Sequence, residues 1–226
     1  LKYDFPKYSI KDCVNFKRKF LSEVFNINKI LGILGVGLGG YEAYTWACEY
    51  PDETEFIIVG NSSFKTAGYR YITSKALLYI IDSSDAYLDD IYSEHISNIV
   101  FTINSLAYSQ YLSKKAFQQF TREELDIFMD NFLEENSHID IYDVKYRIEA
   151  VLNYDIEDKL SNIKAKTLIA NSSEDVYFSP ELDAYPLKDR IENLEIHIFD
   201  AQKFVFNDDY SSFINLFREF LEEFKK

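Results

Sequence analysis

The hexapeptide Gly35-Val36-Gly37-Leu38-Gly39-Gly40 follows directly on the apolar run "KILGIL", and two chemistries use a glycine turn placed there. As Gly35-x-Gly37-x-x-Gly40 it satisfies the dinucleotide fingerprint. There the glycines let backbone approach a pyrophosphate held at a helix N-terminus. As a position it matches a nucleophile elbow, G-x-S-x-G, whose serine would stand at Gly37 and is missing. A dinucleotide site also needs a carboxylate at the end of the next strand, to take the ribose hydroxyl. That strand, "FIIVG", runs into Asn61, Ser62 and Ser63, while Asp52, Glu53 and Glu55 lie before it or at its start. A full amphipathic helix also precedes "KILGIL", whereas the fingerprint strand ordinarily opens its domain.

The remaining reactive side chains are few. His95 and His138 fall in a helical middle region, and His197 alternates with apolar neighbours in "LEIHIF". A structural role is expected for all three. Cys48 lies about three turns into the helix after the glycines and reads as core. Ser62 and Ser63 end a strand with no base near them in sequence. Asp175, in "SSEDVYFSP", taken alone is compatible with a solvated loop carboxylate.

The elements that would position these residues alternate at both ends of the chain. "SIKDCVNFKRKFLSEVF" opens with Ser9 and Asp12 in capping-box spacing and sets Ile10, Val14, Leu21 and Val24 at helical intervals. Short apolar strands follow at "KILGILGV", "TEFIIVG", "AKTLIANSS" and "LEIHIFDA". A helix through "YEAYTWACEY" stops at Pro51, and a last one carries Phe213, Leu216, Phe217, Phe220 and Phe224 on one face. Apolar strands separated by helices predict a parallel sheet covered on both faces. From about Lys75 to Lys159 the pattern is helical throughout, with a second capping box at Thr121 and Glu124. The expected organisation is a core of residues 1–74 and 160–226 with a helical lid at 75–159.

Composition narrows the function. A chain of 226 residues, 47% hydrophobic, can bury a sizeable core. Its 38 acidic against 24 basic residues give a net charge of −14, which repels a phosphate backbone, so no nucleic-acid partner is expected. No apolar run reaches membrane-spanning length, so no membrane partner is expected. Two cysteines, Cys13 and Cys48, make no disulfide framework, and a reducing cytoplasm is the default. The sequence opens at Leu1 with its single methionine at Met129, so an upstream segment is expected.

Several segments, in order along nearly the whole chain, resemble the homoserine O-acetyltransferase family of the α/β-hydrolases. "GVGLGGYEAYTWACEYPD" is similar to that family's elbow and following helix, G-G-S-M-G-G leading to W-A-x-x-Y-P-D. "FPKYSIKDCV" resembles F-P-x-x-T-I-R-D-M-V, "YLSKKAF" resembles the lid motif Y-L-S-x-x-A-F, and "IKAKTLIANSSEDVYFSP" resembles the segment carrying the triad acid. The resemblance implies an α/β-hydrolase fold with a helical lid and a Ser-His-Asp triad. It matches Gly37 to the nucleophile, Gln202 in "AQKFVFND" to the base, Asp175 to the acid and the Leu38 amide to the oxyanion hole. Only the acid is retained. The substrate-holding arginine falls near Ala76, Leu77 and Leu78, with Arg70 one to two turns earlier. The family's N-terminal strands have no counterpart here, which would leave "KILGILGV" as an exposed apolar edge.

Loss of one triad member costs on the order of 10⁴ to 10⁶ in rate, and two are gone. The expectation is a degenerate relative, a binding or assembly protein without cofactor or metal. It would dimerise through the lid and hold a small molecule in a cleft beneath it. Two alternatives remain open. One is an acyltransferase or hydrolase with a non-standard site around Asp175; the other is nucleotide or phosphate binding at Gly35–Gly40.

Overall fold

A computed structural model describes residues 5–84, 99–103, 105–106, 112–135, 140–200 and 210–225. The chain divides into two compact units. The first comprises residues 1–26, 64–110 and 120–157, and the second residues 27–63, 111–119 and 158–226.

The second unit holds the sheet. Its strands are β1 (Ile30–Val36), β2 (Thr54–Gly60), β3 (Lys166–Ser172) and β4 (Leu194–Phe199), all parallel and in sequential order. Register pairs Val36 with Gly60, Gly60 with Ala170 and Ala170 with His197, so the strands finish together along one edge. That alignment places the loops after β1, β2 and β3 side by side, where ligands bind in open parallel sheets.

Alternation along β2 covers both faces of the sheet. Phe56 and Ile58 pack with Leu168 and Phe220, under a helix at Tyr210–Glu222 whose Leu216 and Phe217, with Phe224 just beyond its end, join the cluster. Val59 points to the other face, towards Gly40 of the helix Leu38–Glu49. Among the described residues β1 pairs only with β2, and its Leu31 and Leu34 are exposed. The apolar edge expected from the sequence is therefore present.

The first unit is helical, with α1 (Ile10–Phe25), α3 (Gly68–Asp82), α4 (Arg122–Glu135) and α5 (Ile141–Leu152); α2 denotes Leu38–Glu49 of the sheet unit. Ser9 caps α1 through the expected box: Asp12 N donates to Ser9 Oγ at 3.2 Å and Ser9 N donates to Asp12 Oδ2 at 2.8 Å. Thr121 and Glu124 form the same reciprocal pair ahead of α4. Ile10 and Val14 are buried, but Val24, expected on the same inward face, is 60% exposed. Phe16 and Phe20 are exposed as well, so the later turns of α1 extend past its packing partners.

Leu77, Leu78 and Ile81 of α3 interlock with Ile141, Val144 and Ile148 of α5 in one apolar cluster, against which Tyr8 packs. Phe5 stacks on Tyr146 with ring centroids 5.3 Å apart. These contacts explain why the N-terminal segment and residues 64–74 group with the helices, whereas the sequence placed them with the sheet. No strand lies between 75 and 159 among the described residues.

Candidate functional site

The elbow is a property of Gly37. This residue has φ +55° and ψ −119°, a backbone conformation that L side chains rarely adopt, at the junction of β1 and α2. Both of its backbone groups are fixed. Its N–H donates to the carbonyls of Gly60 and Asn61, each at 3.1 Å, and its carbonyl accepts from Gly40 N at 3.0 Å and from Ser62 Oγ at 2.6 Å. A methyl group built on Gly37 would meet nothing within 4 Å among the described residues.

Its neighbours differ. A methyl group on Gly35 would lie 2.2 Å from the Gly39 carbonyl oxygen, and one on Gly40 would lie 2.3 Å from Ser62 Oγ. Gly35 and Gly40 therefore serve close packing at the junction of β1 and α2.

The acid loop is built on side chains. Asp175 follows β3 and is fully buried, not the solvated carboxylate that it suggests when read alone. Its Oδ1 accepts from Tyr177 N at 2.8 Å and from Phe178 N at 2.9 Å. Asn171 Nδ2 donates to the Phe178 carbonyl at 3.2 Å, closing the loop from its other side. The Phe178 ring meets Tyr41 of α2 edge-on at 6.3 Å, which links the acid loop to the helix behind the elbow.

Between them, the loop after β2 acts as a hub that sequence reasoning missed. Asn61, at φ +38°, offers Oδ1 to Ser172 N at 3.0 Å and so joins the ends of β2 and β3. Ser62 holds the elbow carbonyl, and Ser63 donates to Asp183 Oδ1 at 2.6 Å. Asn61, Ser62, Ser63 and Asp183 are all buried. The only sequence signal was the position of "NSS" at a strand end, because their partners lie 111, 25 and 120 residues away.

Tyr44 is also fully buried. Burial and then the negative charge of Asp183 hold its phenol well above the ordinary value of 10.0. Its hydroxyl has no hydrogen-bond partner among the described residues.

Cys48 is buried, and that burial, with the Glu49 charge, pushes its thiol up to about 12, where no thiolate forms at neutral pH. His197 is exposed on β4. Leu38 opens the first turn of α2, where amides have no intrahelical partner and can face developing negative charge. Arg70, in the helical unit, is buried and donates through Nη2 to the Lys65 carbonyl at 3.1 Å. Gln202, His95 and His138 lie outside the described residues. Among the described residues no group of three or more His, Cys, Asp or Glu could hold a metal, and no helix is long and apolar enough to cross a membrane.

Comparison with known proteins adds a lineage to this geometry. No protein-family model matches the chain. A probable acyltransferase of Methanothermobacter thermautotrophicus is 36% identical over 199 residues, 88% of this chain and 61% of the relative. A homoserine O-acetyltransferase of Nautilia profundicola is 26% identical, covering 78% of this chain and 55% of its own length. The chain thus spans about three fifths of the first relative and about half of the second.

Among solved structures, the homoserine O-acetyltransferase from Bacillus anthracis superposes with TM-score 0.81 at 17% identity, over 99% of this chain and 66% of that one. An acetylester hydrolase from Corynebacterium glutamicum gives 0.78 at 19% identity, over 88% and 61%. At such identities the likeness establishes the fold. The chain has the α/β-hydrolase fold, and in sequence it is similar to a probable acyltransferase and to homoserine O-acyltransferases.

Proposed function

We propose that this chain is a catalytically degenerate member of the homoserine O-acetyltransferase-like lineage, a scaffold for binding or assembly and not for acyl transfer. One observation carries the reading. The tip of the elbow is Gly37, held in a backbone conformation that L side chains rarely adopt and carrying no side-chain atom able to attack a carbonyl. The amide of Gln202, matched by sequence to the base, does not accept a proton near neutral pH. Asp175 keeps the buried, amide-bound state of a triad acid, so the supporting turns outlast the reactive atoms.

That same retained carboxylate supports a second reading, acyl transfer or hydrolysis at a site rebuilt around Asp175. One assay separates the two. Wild type and a Gly37→Ser, Gln202→His double variant are incubated with homoserine and acetyl-CoA, and with small chromogenic esters. Activity in the double variant alone supports a silenced acyltransferase site. Turnover by the wild type, abolished in Asp175→Asn, sinks the non-catalytic reading and supports the second. Inactivity of both leaves binding as the function, in a pocket that has diverged beyond the two substitutions.

A further inference from the structure

The helical unit contains a cavity of about 350 Å³ between the N-terminal segment, α3 and α5. That volume lies at the lower end of small-molecule sites, which run from roughly 300 to 1,000 Å³. Leu78 and Leu152 give it apolar wall, and Lys7, Lys75, Asp82 and Glu149 bring two charges of each sign.

The four charges are unequally satisfied. Asp82 is engaged by Lys145. Glu149 Oε2 is buried and receives no hydrogen bond among the described residues. Its one ion-pair partner, Lys7, stands 3.5 Å away on a side chain 84% exposed, longer than a charge-assisted hydrogen bond of roughly 2.7–2.9 Å. Lys75 also lines the cavity; its Nζ lies 5.6 Å from the centre of the Tyr79 ring, and no carboxylate pairs with it among the described residues. A buried carboxylate oxygen without a donor is costly, and a ligand ammonium would relieve it.

We propose that this cavity is a binding site for a small zwitterion of the α-amino-acid class, its ammonium on Glu149 and its carboxylate on Lys75. A dianion would be repelled by Glu149 and a dication by Lys75, so the pairing selects a ligand carrying both charges. The cavity volume of about 350 Å³ and its apolar wall favour one amino acid over a peptide. The inference does not rest on the reading of the elbow, and its readout is binding, so the presence or lack of turnover leaves it untouched.

The test is saturation-transfer NMR on the full chain with each standard L-α-amino acid at millimolar concentration, followed by calorimetric titration of any that bind. The expected result is that at least one binds, and that its N-acetyl and methyl-ester derivatives each bind about tenfold more weakly or worse. Glu149→Gln, nearly isosteric, weakens binding by a similar factor. Lys75→Met weakens it several-fold, with circular dichroism unchanged in both variants. Absence of binding by every amino acid overturns the proposal. So does binding that both variants leave intact, or that the N-acetyl derivative reproduces.

Discussion

Two loops on one edge of the sheet solve the same problem by opposite means. The loop after β1 has no side chain at its tip: Gly37 is fixed by backbone hydrogen bonds and by Ser62, and an added methyl would meet nothing within 4 Å among the described residues. The loop after β3 is organised by side chains, with Asp175 and Asn171 tied to the backbone of residues 177 and 178 and sealed from solvent. Both sit in register at the carboxyl ends of parallel strands, and the loop after β2 bonds to each. The contrast teaches that two loops on one sheet edge can be held in place by different kinds of group, backbone in one and side chains in the other. The turn at Gly37 is held by its backbone and by Ser62, independently of any side chain at its tip.

The largest test of that contrast is Gly35→Ala. Its new methyl would meet the backbone carbonyl of Gly39 at 2.2 Å, so the chain itself must move, and urea denaturation should show a loss of about 3 kcal/mol. A loss below about 1 kcal/mol would mean that the close approach of strand and helix does not hold the elbow.

Asp175→Ala removes the acceptor of two amides, and a loss of about 2 kcal/mol is expected, with Asp175→Asn milder because its amide oxygen still accepts. Equal effects of the two variants would show that charge, not hydrogen bonding, organises the acid loop.

Gly37→Ser should cost about 1–2 kcal/mol, mainly from backbone strain, because an added Cβ meets nothing within 4 Å among the described residues. A loss matching Gly35→Ala would break the comparison by showing that a side chain at the tip is crowded. Ser62→Ala should cost about 1 kcal/mol, since the Gly37 carbonyl keeps its bond from Gly40 N.

The smallest change at neutral pH is expected from Tyr44→Phe, a gain below about 1 kcal/mol from deleting a buried hydroxyl without a partner among the described residues. Its signature is in pH. The phenol of Tyr44 is held well above 10.0 in the fold, so above about pH 10 the unfolded chain releases a proton that the folded chain keeps. Stability is therefore full below that pH and falls as pH rises. The phenylalanine variant should flatten the alkaline fall, and denaturation midpoints measured at pH 8 to 11 would check it.

Much of the fold was legible because its signals are local. The capping boxes at Ser9 and Thr121, the four short apolar strands and the phenylalanine face of the last helix repeat at the periods of helix and strand. The glycine turn could be read too, because its tight geometry and its spacing involve only neighbouring residues. Domain bounds were less legible: the grouping of Phe5 and Tyr8 with α5 and its cluster is a contact between segments more than a hundred residues apart.

The sequence by itself determined that a parallel sheet forms, that a strand-to-helix turn exists at Gly37, and that this turn carries no nucleophile. Tertiary structure alone decided that Asp175 is buried, that Val24 is exposed, and that Asn61, Ser62 and Ser63 face inward to hold the loops on either side. The physical reason is range. Periodicity and turn chemistry act over a few residues, whereas the partners of a buried polar group are set by the register of neighbouring strands, which brings together residues as distant as Ser63 and Asp183.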